Sequence, residues 1–127
     1  MLSLALPSRI FVCTLPTDMR KGFDTLAALV QTHLEQDPLS GDLFVFRSRR
    51  GDRVKLLWWD EDGYGLFYKR LEEGSFELPV ADGQRAASGG HGVLLRPAEL
   101  AMLLEGVDLS HVRRHKRYRR AAGGPVE

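Results

Sequence analysis

The fold of this chain turns on one stretch, LFVFRSRRGDRVKLLWWDEDGYGLFYKRLEEGSFELP, residues 43 to 79. Within it, Leu43 to Arg47, Arg53 to Asp60 and Leu66 to Leu71 are rich in β-branched and aromatic residues and follow the two-residue period of sheet, with a fourth short run near Phe76. The separators RSRRGD and DEDGYG are short and carry glycine, so antiparallel hairpins are the economical connections and a meander results. Phe44, Phe46, Leu57, Trp59, Phe67 and Leu71 form the expected core face, and a slip of one residue would exchange the faces.

On the N-terminal side, Arg9 to Thr14 alternates and reads as a first strand. Phe23, Leu26, Ala27, Leu29, Val30, His33 and Leu34 then recur at three and four residues, the stripe of an amphipathic helix. Asp18 or Asp24 is placed to cap its start, and DPLSG at 37 to 41 to end it. On the C-terminal side, Ala81 to Gly92 reads as a mobile loop rich in Gly, Ala and Ser. VLLRPAELAMLLEGVD follows as a strand ending at Arg96 and a helix that starts at Pro97 and stops at Gly106. The fold class expected is α+β: an antiparallel β-meander of four to five strands, one long helix packed on it and a short C-terminal helix.

The 127 residues suit one domain, here 1–109, followed by a basic tail, 110–127, expected to be disordered. Net charge is only +1 but is segregated: residues 1–109 hold 12 Lys/Arg against 16 Asp/Glu, and residues 110–127 hold 6 against 1. HVRRHKRYRR, His111 to Arg120, would attract a polyanion, or simply remain a solvated terminus. No apolar run nears the roughly 20 residues of a membrane span. The N-terminus lacks a basic region ahead of its apolar part, so a signal peptide is a poor reading. Cys13, the one cysteine, reads as a small buried apolar residue, and a cytoplasmic location fits best.

Metal-ligand spacing is lacking, since one Cys and four dispersed His (33, 91, 111, 115) make no CxxC, HxxxH or HExxH set. The glycines of DGQRAASGGHG match neither a P-loop nor a dinucleotide fingerprint, and no serine sits in a nucleophile elbow. No cofactor, metal or catalytic residue is therefore assigned. Asp42, Asp52, Asp60, Glu61 and Asp62 would be the carboxylates of a metal-dependent nuclease, but most fall at turns, where Asp serves backbone hydrogen bonding.

The basic residues are more informative. Arg47, Arg49, Arg50, Arg53 and Lys55 bracket the first hairpin turn, and Lys69 and Arg70 extend the set. Guanidinium groups gathered at one end of a sheet suit phosphate oxygens. A charged turn is also the usual way to blunt a hairpin, with Asp42 and Asp52 to neutralise part of it. TDMRKGF, residues 17 to 23, adds Arg20 and Lys21 at the helix entrance, as a working cluster or a solvated collar.

Taken together, TDMRKGFDTLAALV, the 37–79 stretch and LAMLLEGVD resemble the small TnpB-type accessory protein, the second reading frame of bacterial insertion sequences of family number 66. The similarity runs from about Arg9 to Asp108 and includes Asp18 to Phe23, Phe44 to Arg50, Asp52 to Lys55, Trp59, Asp60 and Tyr68 to Leu71. Gly51 departs from the pattern, where many members carry a basic or polar residue, and Tyr64 and Gly65 fall where an aromatic pair is more usual. The resemblance implies membership of a transposition operon beside a separate, larger transposase. With it, the expected function is a non-catalytic transposition accessory factor binding DNA at transposon ends. Arg20, Lys21, Arg47, Arg49, Arg50, Arg53, Lys55, Lys69 and Arg70 are the expected phosphate contacts. Trp58, Trp59, Tyr64 and Tyr68 are the candidates for base stacking, at least half of them expected in the core. The alternatives are an adaptor that docks on the transposase through exposed aromatic surface and, third, the nuclease.

Overall fold

The meander is present, but the sheet grows past it in a direction the hairpins do not dictate. The computed structural model describes residues 9–78 and 90–106. Its elements are β1 (Ile10–Cys13), α1 (Phe23–Thr32), β2 (Leu43–Arg47), β3 (Arg53–Trp59), β4 (Tyr64–Arg70), β5 (Gly92–Leu95) and α2 (Pro97–Glu105). The order across the sheet is β4-β3-β2-β1-β5. β2, β3 and β4 are joined antiparallel, whereas β1 runs parallel to β2 and antiparallel to β5. The sheet is thus mixed rather than purely antiparallel. The cause is α1, which serves as the crossover that returns the chain before β2 begins, as parallel neighbours require.

Both sheet faces are covered, which explains the near-continuous apolar runs IFVC and LFVF. On one face Leu26, Ala27, Val30 and Leu34 of the α1 region pack on Phe11, Cys13, Phe44, Phe46 and Leu57. On the other, Phe76 and Leu103 pack on Ile10, Val12, Leu43, Val45, Val54, Leu56, Trp58 and Leu95. Each large side chain taken fully out of water contributes about 1.5–3 kcal/mol, so the two cores together dominate stability. Cys13 is fully buried, and its burial pushes the thiol's pKa up.

The helices correct the expectation of one long and one short, for they span 10 and 9 residues. Neither Asp18 nor Asp24 caps α1: the Gly22 N–H donates to Thr25 Oγ1 at 2.9 Å, while Asp18 is occupied by Arg20. The helix also ends before DPLSG, where Asp37 instead builds a local turn by accepting from the Leu39 N–H. α2 behaves as read, with Pro97 in its first turn and Gly106 closing it at φ +77°.

Phe44, Phe46 and Leu57 share the α1 face as expected. Trp59 is only half-buried, Phe67 is exposed on edge strand β4, and Leu71 packs on the opposite core. The run near Phe76 is no strand; Phe76 is a plug held by its N–H to Gly51 O at 2.7 Å. The basic tail and most of the Gly/Ala/Ser loop lie outside the described residues.

Candidate nucleic-acid interface

Lys55 is the residue around which the basic surface is built. It stands in the middle of the buried run VKLLW and is itself only 7% exposed. Its ammonium donates to Met19 O at 2.8 Å and Lys21 O at 2.7 Å, and lies 4.6 Å from the centroid of the Tyr68 ring. A buried cation needs such partners, and the aromatic face supplies a further attraction. Lys55, one of the expected phosphate contacts, thus has its ammonium withdrawn from solvent and engaged by two backbone carbonyls. It is the clamp that ties the Asp18–Lys21 turn to the sheet.

The turn carries Arg20, whose side chain is 91% exposed and whose guanidinium straddles Asp18 at 2.7–3.1 Å. This side-chain hydrogen bonding, with the Arg20 N–H added, holds the Asp18 carboxyl well below the usual carboxylate range. On the sheet beside it, Lys55 pairs with Tyr68 and Arg53 pairs with Arg70 in register. Strand alternation puts all four on the α1 face. Arg53, Tyr68, Arg70 and Glu72 line an open depression of about 390 Å³. Glu72 takes one bond from Arg70 at 3.3 Å, with both side chains more than half exposed. Two arginines directly opposite each other on one sheet face repel. Violations of a local pairing rule of this kind concentrate at functional sites. Five cations (Arg20, Lys21, Arg53, Lys55, Arg70) meet two carboxylates (Asp18, Glu72) around an exposed tyrosine.

Other expected contacts are separated from this surface. Arg47 and Lys69 both pair with Val54 and so point to the α2 face. Arg47 Nη1 donates to Phe76 O at 3.0 Å, and burial lowers the pKa of its guanidinium. Lys69 Nζ donates to Leu104 O at 2.9 Å, at the C-terminal end of α2, where a cation is favoured. Arg49 and Arg50 are exposed at the hairpin tip. Hence the nine cations form no single cluster.

The aromatic candidates divide as well. Trp58 is 8% exposed and packs within the α2-side core. Trp59 and Tyr64 are half-buried and meet edge to face at 5.0 Å. Burial, reinforced by Asp24 and Asp37, raises the pKa of Tyr64. Tyr68, 49% exposed, is the ring presented beside the arginines. The part played by Lys55 was missed in the sequence, although a lysine inside an apolar strand core was its signal.

Among the carboxylates, Asp42 is buried and paired with Arg9 at 2.9 Å, and Asp52 accepts from Ser48 Oγ at 3.3 Å. Among the described residues no group of three or more His, Cys, Asp or Glu side chains gathers where a metal ion could be held. No helix of the described residues is long and apolar enough to cross a membrane.

These features define a small α+β protein whose sheet carries a cationic surface with an exposed aromatic ring. The chain belongs to the IS66 Orf2-like protein family, whose sequence pattern matches residues 8–114, and so to the accessory proteins of insertion sequences. It is 45% identical over 103 residues to the uncharacterized protein y4hO of Sinorhizobium fredii, covering 81% of this chain and 84% of that one. It is 41% identical over 107 residues to the uncharacterized protein y4jC of the same organism, covering 84% and 85%. No solved structure matches.

Proposed function

We propose that this accessory protein binds DNA at the ends of its insertion sequence through the α1-side surface of β3 and β4, and that it performs no hydrolysis itself. Arg20, Lys21, Arg53 and Arg70 contact phosphates, and Tyr68 offers a face for an unpaired base. The observation that carries this reading is the Lys55 ammonium, which joins the Met19 and Lys21 carbonyls to the strand bearing Tyr68. Two basic segments far apart in sequence are thereby made one surface, at the cost of burying a charge that packing alone would not select.

The test is the salt dependence of DNA binding by the full chain. Changing Arg20, Lys21, Arg53 and Arg70 to Ala should weaken binding and lower the slope of log affinity against log salt, by about 0.9 for each duplex phosphate no longer neutralised. A matched variant with Arg113, Arg114, Arg119 and Arg120 changed to Gln measures the tail. If the first variant binds like the wild type and the second does not, the tail is the DNA site. DNA of any form incubated with the protein and Mg²⁺ or Mn²⁺ should remain intact.

A second reading is favoured by edge strand β4, which among the described residues pairs only with β3 and exposes Phe67 and Tyr68 at 43% and 49%. Such an edge can accept a strand from a partner, here the transposase. Phe67→Asp should then abolish co-purification with the transposase while leaving DNA binding intact.

A further inference from the structure

On the opposite side of the hairpin from Lys55 lies a cleft of about 240 Å³, lined by Thr14–Pro16, Arg47–Gly51 and Ser75–Glu77. Its three walls are tied together by backbone hydrogen bonds, Thr17 N–H to Arg47 O at 2.9 Å and Phe76 N–H to Gly51 O at 2.7 Å. The hairpin tip closes through Gly51 N–H to Ser48 O at 3.0 Å, with Gly51 at φ +81°. Any side chain at Gly51 would be strained, and its Cβ would stand 3.2 Å from Ser75 Cβ. The shape is therefore set by the backbone.

Its charge is unbalanced. Arg47, in the cleft wall, spends Nη1 on a neutral carbonyl, while its buried Nε has no acceptor among the described residues. Glu77 is near enough to act on Arg47 through its charge, but its carboxylate accepts from Ser75 Oγ. Arg49 and Arg50 line the same cleft and make no ion pair with the described residues. Three guanidinium groups thus face one carboxylate. A buried guanidinium is costly without an anionic partner, and its planar fork matches a tetrahedral oxyanion.

We propose that this cleft binds one dianionic phosphate group, free or as the terminal monoester of a strand, with Arg47 in its wall and Arg49 and Arg50 closing over it. A monoester carries about −1.5 to −2 charge near neutral pH, which matches the surplus of two left by three arginines and Glu77. A backbone diester, with a single charge, matches it less well. The ligand is then inorganic phosphate or the phosphorylated end of a nucleic-acid strand. Arg47 projects from the sheet face opposite to that of Lys55, Arg53 and Arg70, and none of the three arginines of the cleft belongs to the proposed DNA surface.

The experiment titrates the full-length protein with inorganic phosphate while following backbone amides by NMR. Saturable shifts are expected at residues 48–51 and 75–77, and Arg49→Ala/Arg50→Ala should weaken binding by about tenfold or more. Both arginines are exposed, so this variant should melt like the wild type. A short single-stranded oligonucleotide with a 5′-phosphate is then compared with its 5′-hydroxyl twin. Tighter binding of the phosphorylated form, lost in the double variant, assigns the site to strand ends; equal binding of the two, with the phosphate shifts retained, assigns it to free phosphate. Absence of saturable shifts in the cleft, or shifts unchanged in the double variant, overturns the proposal. The Arg20, Lys21, Arg53, Arg70 variant should keep the phosphate shifts, so failure of the DNA surface and failure of the cleft are read separately.

Discussion

Trp58 occupies the space above Gly65 on the neighbouring strand so completely that a Cβ on Gly65 would come within 2.2 Å of the indole. The missing side chain makes room for the largest ring in the α2-side core. Gly65→Ala should therefore cost about 1–3 kcal/mol, the usual range for overpacking, seen as a lower urea midpoint with unchanged slope. Gly63→Ala is the control, since nothing lies within 4 Å of its Cβ position.

Lys55→Met keeps the length of the stem and removes the charge. The carbonyls of Met19 and Lys21 then lose their donor, and the loss should be about 1.5–3 kcal/mol, the range for a hydrogen bond from a charged group. Faster amide exchange at Lys21, whose N–H bonds to Asp18 O, should report release of the turn. DNA affinity should fall with it although Lys55 itself touches no phosphate. Normal exchange in a destabilised Lys55→Met protein would show that the turn holds itself.

The Asp18 carboxyl should titrate below the roughly 3.9 of a free aspartate, followed by its ¹³C shift. Its pKa is lower in the folded protein than in the unfolded chain, so its stabilising effect is present above the unfolded value and lost as pH falls through the folded one. The pair is exposed, so salt should screen the effect. Arg20→Ala should return the titration towards the ordinary value.

Tyr68→Ala should reduce affinity for single-stranded DNA by about 1–3 kcal/mol for one stacked base and change duplex binding less. Trp58→Ala should do the reverse, costing about 3–5 kcal/mol of stability before any effect on binding. Equal single-strand binding by wild type and Tyr68→Ala would remove the stacking role.

The elements were largely legible because local rules set them. β2 spans Leu43–Arg47 as its sequence run predicts, and Pro97 and Gly106 bound α2 as their backbone preferences require. The placement of β1 was not legible. IFVC shows that a strand is buried, but not whether its neighbour runs with or against it. Phe67 misled in a similar way: its chemistry is that of a core residue, but its strand is the sheet edge.

For the candidate site, the sequence alone determined which residues are cationic, which are aromatic and which turns carry them. It also placed the chain in its family, because Asp18 to Phe23 and the hairpin keep their order and spacing. Only the tertiary structure decided how those charges are used. A one-residue difference in strand position turns a side chain to the other face, which sends Arg47 and Lys69 to the α2 side and Arg53, Lys55 and Arg70 to the α1 side. Burial makes Lys55 a clamp, because an ammonium withdrawn from water must find carbonyl oxygens, and those within reach belong to Met19 and Lys21.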